Sequence, residues 1–289
     1  MTSDARRLGK QPAGDDRTGR VRIGTQGWNY ADWVGGFYPA GTRPADFLTV
    51  YARAFDAVEV DSTFYAIPAV KTVRGWASRT PEGFTFTLKF PQEATHERRL
   101  VDCGDIAEAF FATARELGPK LGPVLLQLGP DFSPNEMPAL ARFLPLVPAD
   151  IQLAVEVRHG GWTNPRILDA LRLLLEEHGA ALALSDGRWM PRELVLDLAQ
   201  APTANFHYLR WMGPDRSITN FSRVLVDRSD EIAAWAETID PVLRRGTMIY
   251  GFFNNHFAGH SPASARDLQA RLGRRPVDPG SLDEQTSLF

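Results

Sequence analysis

Apolar and polar positions along this chain fall into two alternating periods. Val58 and Val60 interleave with Glu59 and Asp61 in the run Ala57–Tyr65, which gives one apolar and one acidic face. That is a strand pattern, because residues two apart share a face. Further strand-like runs are 21–27, 84–90, 123–129, 151–158, 180–186, 205–213 and 248–255. Between them the apolar spacing changes to the helical period. Phe47, Leu48, Tyr51 and Phe55 share a face in a helix opened by Pro44, and 71–79 reads as a second helix. Asp105 with Glu108 has cap spacing ahead of a run that stops at Gly118. Later helices are expected over 135–147, after Asn164-Pro165, over 191–198, over 230–245 with a bend at Pro241, and from Ser261-Pro262 to Gly273.

Eight strand patterns alternating with helices over residues 21–273 predict an α/β fold, a single parallel (β/α)8 barrel of the TIM type. The competing architecture is an open doubly wound sheet. Such sheets carry a glycine-rich phosphate loop after the first strand, and Gly24-Thr-Gln-Gly27 does not have that form.

Composition narrows the functional classes. A net charge of −3 and a pI near 6.1 over 289 residues argue against a protein that holds nucleic acid by bulk charge. Cys103 is the only cysteine, so an internal disulfide or a cysteine-based zinc site is excluded and a reducing, cytoplasmic setting is expected. No run is long and apolar enough for a membrane span, and residues 1–20 lack the apolar core of a signal peptide; they are expected to be a disordered tail. Residues 274–289 are expected to be a flexible C-terminal tail.

In barrels of this class the chemistry sits at the carboxyl ends of the strands. Applied here, that rule gathers Glu59, Asp61, Glu156 and Asp186 as acid/base candidates. It gathers Lys89, Arg158 and Arg210 as holders of a phosphate or carboxylate, with Gln26, Gln127, Asn254 and Asn255 as polar partners. Trp28, Tyr30, Phe64, Tyr65, Trp162, Trp189, Trp211 and Phe257 lie near the same ends, where loop packing accounts for most and a few, Trp28, Tyr30, Tyr65 and Trp162 first, are candidates for stacking on a ring. His96 with Arg99 adds donors from the loop after the third strand. A purely structural ion-pair layer is the competing explanation for the charges, since buried ions have to be paired in any case. A metal site of Glu59, Asp61, Glu156, Asp186 and His207 is a lesser alternative. His256 and His260 have the spacing of a metalloprotease helix, but the glutamate is missing and Gly259 and Pro262 break the helix. There is no nucleophile elbow and no Walker loop, so no cofactor is indicated by motif.

Several of these stretches resemble one family. Gly24-Thr-Gln-Gly-Trp28, Phe37-Tyr-Pro39, Glu59-Val-Asp-Ser-Thr-Phe-Tyr65, Thr95-His96 with Arg99-Leu100, Leu125-Leu-Gln-Leu128, Val155-Glu-Val-Arg-His159 with Trp162, and Phe253-Asn-Asn-His256 are similar to the YecE-like family, domain of unknown function seventy-two. The resemblance spans about residues 21–272 and implies a TIM-type barrel without an established activity. The chain departs from the family at Asp61, usually Asn, and at Met212-Gly213, usually His-Gly.

The terminal Gln285-Thr-Ser-Leu-Phe289 resembles the pentapeptide that binds the bacterial sliding clamp, with Gln285 seating the backbone and Leu288 and Phe289 filling an apolar pocket. A tether of that kind raises local concentration at DNA without a basic surface. The leading expectation is a hydrolase or lyase acting on a sugar-phosphate or nucleic-acid-derived substrate. The alternatives are a glycosidase-like enzyme, which needs two suitably spaced carboxyls, and a noncatalytic adaptor of replication or repair.

Overall fold

The computed structural model describes residues 20–283, so the sliding-clamp-like motif and the expected N-terminal tail, Arg20 excepted, lie outside the described residues. Strands β1 (Val21–Gln26), β2 (Ala57–Val60), β3 (Thr85–Leu88), β4 (Val124–Gln127), β5 (Leu153–Glu156), β6 (Ala181–Asp186), β7 (Phe206–Trp211) and β8 (Met248–Phe253) run parallel in the order β3-β2-β1-β8-β7-β6-β5-β4. The ring closes between β3 and β4, where Phe90 N donates to Leu125 O at 2.9 Å and Gly122 N donates to Phe86 O at 2.8 Å. Closure removes both sheet edges. The predicted (β/α)8 barrel of the TIM type is what forms.

Around it lie α1 (Phe47–Ala54), α2 (Val70–Ser78), α3 (Gly104–Ala114), α4 (Met137–Phe143), α5 (Pro165–Glu177), α6 (Arg192–Leu198), α7 (Ser229–Arg244), the single turn α8 (Asn255–Ala258) and α9 (Ser261–Arg271). Each follows from local chemistry. In α1, Phe47, Leu48 and Tyr51 are buried as their spacing requires, and the Tyr51 hydroxyl bonds Thr25 and Ala57 O, which ties the helix to two strands. The Asn164 side chain accepts from Arg166 N and Ile167 N and so starts α5. Helix α7 continues through Pro241.

Three local expectations change. The strand expected over Ala57–Tyr65 stops at Val60, and Asp61–Phe64 becomes a 3-10 turn. Thr63 causes this: its hydroxyl shares its one proton between Val60 O at 2.9 Å and Lys89 O at 2.8 Å and accepts from Lys89 N, so it clasps the ends of β2 and β3. The Asp105 cap does not form, because Asp105 pairs with Arg98 instead. The segment 274–282, expected to be loose, is pinned under the barrel: Arg274 bonds Asp56 and Val21 O, Arg53 donates to Leu282 O, and Leu282 is buried.

The inside of the barrel is a packed core. Ala154, Ala181 and Ala183 on β5 and β6 leave room for the larger Phe206, Tyr208 and Phe252 of the neighbouring β7 and β8. The outer face packs on the helices, and Gly251 is required there: a Cβ would meet the Trp211 ring at 2.7 Å. That ring stacks on Phe253 at 4.2 Å.

Candidate active site

Residues 59, 127, 156, 208 and 210 share the inward face of their strands, residues 61, 89 and 158 follow just past the strand ends, and closure brings them together. The lowest polar layer is centred on Arg210 of β7. Its Nη2 donates to Glu59 Oε1 at 2.7 Å, its Nε to Glu59 Oε2 at 3.0 Å, and its Nη1 to Glu156 Oε2 at 2.6 Å. The Tyr208 hydroxyl donates to Glu59 Oε2 at 2.7 Å and meets Thr87 Oγ1 at 2.9 Å, while Arg158 Nε donates to Glu156 Oε1 at 2.6 Å. Glu59, Glu156 and Arg210 are almost wholly removed from water. Burial alone would raise Glu156, but Arg158 and Arg210 outweigh it and hold the carboxyl down at about 2. Burial pushes Glu59 up against the pull of Arg210, and every neighbour of its oxygens is a donor. This floor is closed: its carboxylates are occupied by guanidinium and phenol groups.

A cavity of about 280 Å3 opens directly above it, lined by Asp61, Tyr65, Lys89, His96, Arg158 and Arg216 among others. Lys89 Nζ lies 4.0 Å from Asp61 Oδ1 and 3.8 Å above the centre of the Phe64 ring. Burial pushes its amine down to about 8, and Arg210 and Arg158 push the same way while Asp61 opposes them. Asp61 also lies 3.8 Å from Arg210 Nη2 and keeps 37% of its side-chain surface. His96 is lowered first by burial and then by Lys89. Its Nδ1 is 2.8 Å from Thr95 Oγ1, and its Nε2 lies 3.4 Å from Gln127 Nε2. The Gln127 Oε1 is buried and has no hydrogen-bond partner among the described residues. Asn254 Nδ2 donates to Gln26 Oε1 at 2.7 Å, and Gln26 Nε2 reaches Met212 Sδ at 3.0 Å.

Several expected members of this site stand elsewhere. Asp186 faces outward from β6, accepting from Trp235 Nε1 at 2.5 Å and pairing with Arg192, so Ser185 holds the inward position of that strand. Trp162 is fully buried, donating to Phe132 O at 2.9 Å. Trp28 packs edge-on against Trp76 and Phe86. Tyr30 packs on Trp33 and donates to Gln26 O. Asn255 faces out and accepts from Trp33 Nε1 and from Ser261. Arg99 is engaged by Glu136 in a bidentate pair and by Asp131, so it anchors the loop that carries His96 rather than offering free donors. His207 also faces outward, with burial pushing its ring down to about 4. Among the described residues, no group of three or more His, Cys, Asp or Glu converges in a way that could hold a metal ion. Lys89, Arg158, Arg210, Gln127, His96, Asp61, Tyr65 and Asn254 do line one cavity.

Tyr208, which completes the charged floor, was not expected from the sequence. The signal for Tyr208 was the alternation Phe206, Tyr208, Arg210, which puts all three on one face. Arg216, from the segment after β7, carried no periodic signal.

A family model described as "Protein of unknown function DUF72" matches residues 22–286. The UPF0759 protein YecE of Escherichia coli is 35% identical over 287 residues, covering 93% of this chain and 100% of the relative. The UPF0759 protein YunF of Bacillus subtilis is 26% identical over 268 residues, covering 86% and 93%. Two crystal structures of DUF72 family proteins share the fold. That from Enterococcus faecalis has a TM-score of 0.70 at 19% identity, covering 88% of this chain and 97% of its own. That from Thermotoga maritima has a TM-score of 0.71 at 24% identity, covering 88% and 99%.

Proposed function

Because the chain belongs to the DUF72 family, which carries no stated activity, the reading has to come from its own barrel mouth, and we propose that it is an enzyme of the hydrolase or lyase type acting on a small sugar-phosphate or nucleic-acid-derived substrate. The observation that carries this reading is Lys89. A buried ammonium has been placed at a strand end, over a cavity, compensated by the face of the Phe64 ring and by a carboxylate 4.0 Å away. A lysine held near neutrality can remove a proton beside a carbonyl or attack that carbonyl through its free amine. Asp61 and His96 stand near enough to the same cavity to exchange protons with it, and the far nitrogens of Arg158 and the Arg216 side chain suit a phosphate.

These features favour the lyase branch. Glu59 and Glu156 are held apart by a guanidinium that donates to both, so neither is free to serve as the acid or nucleophile of a glycosidase. A lysine amine and a substrate carbonyl would lose one water to form an imine, which borohydride reduces to a stable secondary amine. Incubation with phosphorylated aldoses, ketoses and nucleic-acid-derived aldehydes plus borohydride should add to the peptide containing Lys89 the mass of the substrate less one oxygen atom, the balance of the water lost and the two hydrogens gained. The Lys89→Met protein should show no such adduct and should lose at least about 100-fold in kcat/KM on any substrate found in the same screen. Unchanged turnover by Lys89→Met would sink the reading.

The cytoplasmic setting suggested by the lone Cys103 belongs to this proposal. So does a tether. Residues 274–282 are fixed at the amino-terminal pole of the barrel, opposite the mouth, so a partner held by Gln285, Leu288 and Phe289 would leave the cavity open. Binding to purified sliding clamp, measured by surface plasmon resonance, should vanish when residues 285–289 are deleted. A clamp that ignores the intact chain removes the tether and leaves the enzyme reading standing.

A further inference from the structure

The mouth does not end at Lys89. A second compartment of about 110 Å3 adjoins it and shares Arg158, Met212, Arg216 and Asn254 with the first. Its distinctive lining is Trp189, with the guanidinium of Arg188 at 4.4 Å and that of Arg158 at 5.4 Å from the ring centre. Arg158 binds Glu156 through Nε alone, so its two terminal nitrogens carry no hydrogen bond among the described residues. Arg188 and Arg216 form no salt bridge among the described residues, although Arg188 is near enough to Asp215 to help hold that carboxyl down, after Ser217. The one carboxylate lining this compartment, Asp215, accepts from Ser217 N.

The layout separates two kinds of chemistry. Free guanidinium donors stand at the junction of the compartments, a half-buried indole stands on one side, and the Lys89 amine stands on the other. We infer that the ligand is bipartite: a phosphate held at the junction by Arg158 and Arg216, with a planar ring system stacked on Trp189, as in a nucleoside 5′-monophosphate. The inference rests on the reading of the mouth as a site for a small phosphorylated substrate. Aromatic stacking tolerates any base, whereas the guanidinium donors demand the anion. In the first compartment, the unpartnered Gln127 Oε1 offers an acceptor for a ligand hydroxyl.

Isothermal titration of the full chain with inorganic phosphate, ribose 5-phosphate and adenosine 5′-monophosphate tests this. The nucleotide should bind at least about tenfold more tightly than ribose 5-phosphate, the scale of one base stacked on an aromatic ring. In Trp189→Ala that advantage should collapse to within about twofold, while Trp189→Phe, which preserves a ring, should keep most of it. If ribose 5-phosphate binds as tightly as the nucleotide, the bipartite ligand is wrong and the phosphate-taking mouth stands. If none of the three binds, both readings fall. An advantage that survives in a folded Trp189→Ala protein also overturns the inference, because the ring would then be bound elsewhere.

Discussion

Two layers of the barrel interior, a few ångströms apart, use the same residue types to opposite effect. In the floor, Arg210, Glu59, Glu156 and Tyr208 satisfy one another with bonds of 2.6 to 3.0 Å and exclude water. In the mouth, Lys89 and Asp61 stand 4.0 Å apart, and the outer nitrogens of Arg158 are unspent among the described residues. Charge alone therefore does not mark a site. What separates the layers is how hydrogen-bonding capacity is used: the floor spends most of its capacity on itself, and the mouth keeps more of it for a ligand.

The largest effect should come from breaking the floor. Arg210→Met leaves Glu59 and Glu156 buried without their shared partner, and removing one member of a buried ion network costs about 3–5 kcal/mol. Denaturant unfolding should show that loss. A change below about 1 kcal/mol would mean that the carboxylates are not held as described.

Lys89→Met should do the reverse, abolishing activity while stability stays within about 1 kcal/mol, since it removes a poorly compensated buried cation. Parallel unfolding and turnover measurements separate the two layers on this point.

The pH responses should differ next. Glu156 is depressed to about 2, so its contribution is complete above the ordinary carboxylate value near 4.5 and is lost as pH falls from there towards 2. Lys89 is lowered to about 8, so the folded state favours its neutral form, and its burial penalty is relieved as pH rises from about 8 towards the unfolded value near 10.5. A pH–rate profile should rise through about pH 8 if the free amine does the chemistry. A profile flat from pH 6 to 9, with chemistry shown to be rate-limiting, would contradict this.

The smallest effect should be that of Asp61→Asn, which keeps the side chain's shape and removes its charge. Asp61 holds the Lys89 amine up, so its loss should move the rising limb to lower pH by less than about one unit and change stability by less than about 1 kcal/mol. Movement to higher pH would show that the two side chains are not coupled as the geometry implies.

Parts of this site were legible before any coordinates. Glu59 and Asp61 are marked by alternation against Val58 and Val60, and Glu156 with Arg158 interrupts an otherwise apolar run. Asp186 misled because β6 is buried on both faces, so Leu184, Ser185 and Asp186 offer no polarity contrast from which to read direction. Arg99 misled for another reason. Its partners Asp131 and Glu136 lie over thirty positions away and arrive only when the loops after β3 and β4 fold together.

The sequence by itself determined the period of each segment, the eightfold alternation and the family, because side-chain direction and helix or strand preference are local properties of the chain. The tertiary structure alone decided which charges were already spent. Glu59, Glu156 and Arg210 lie on β2, β5 and β7, so whether they meet depends on strand stagger and ring closure, and hydrogen bonds discriminate at tenths of an ångström. The acidic face of β2 was visible from the start; that Glu59 is locked into the floor while Asp61 remains in the mouth is a property of the closed barrel.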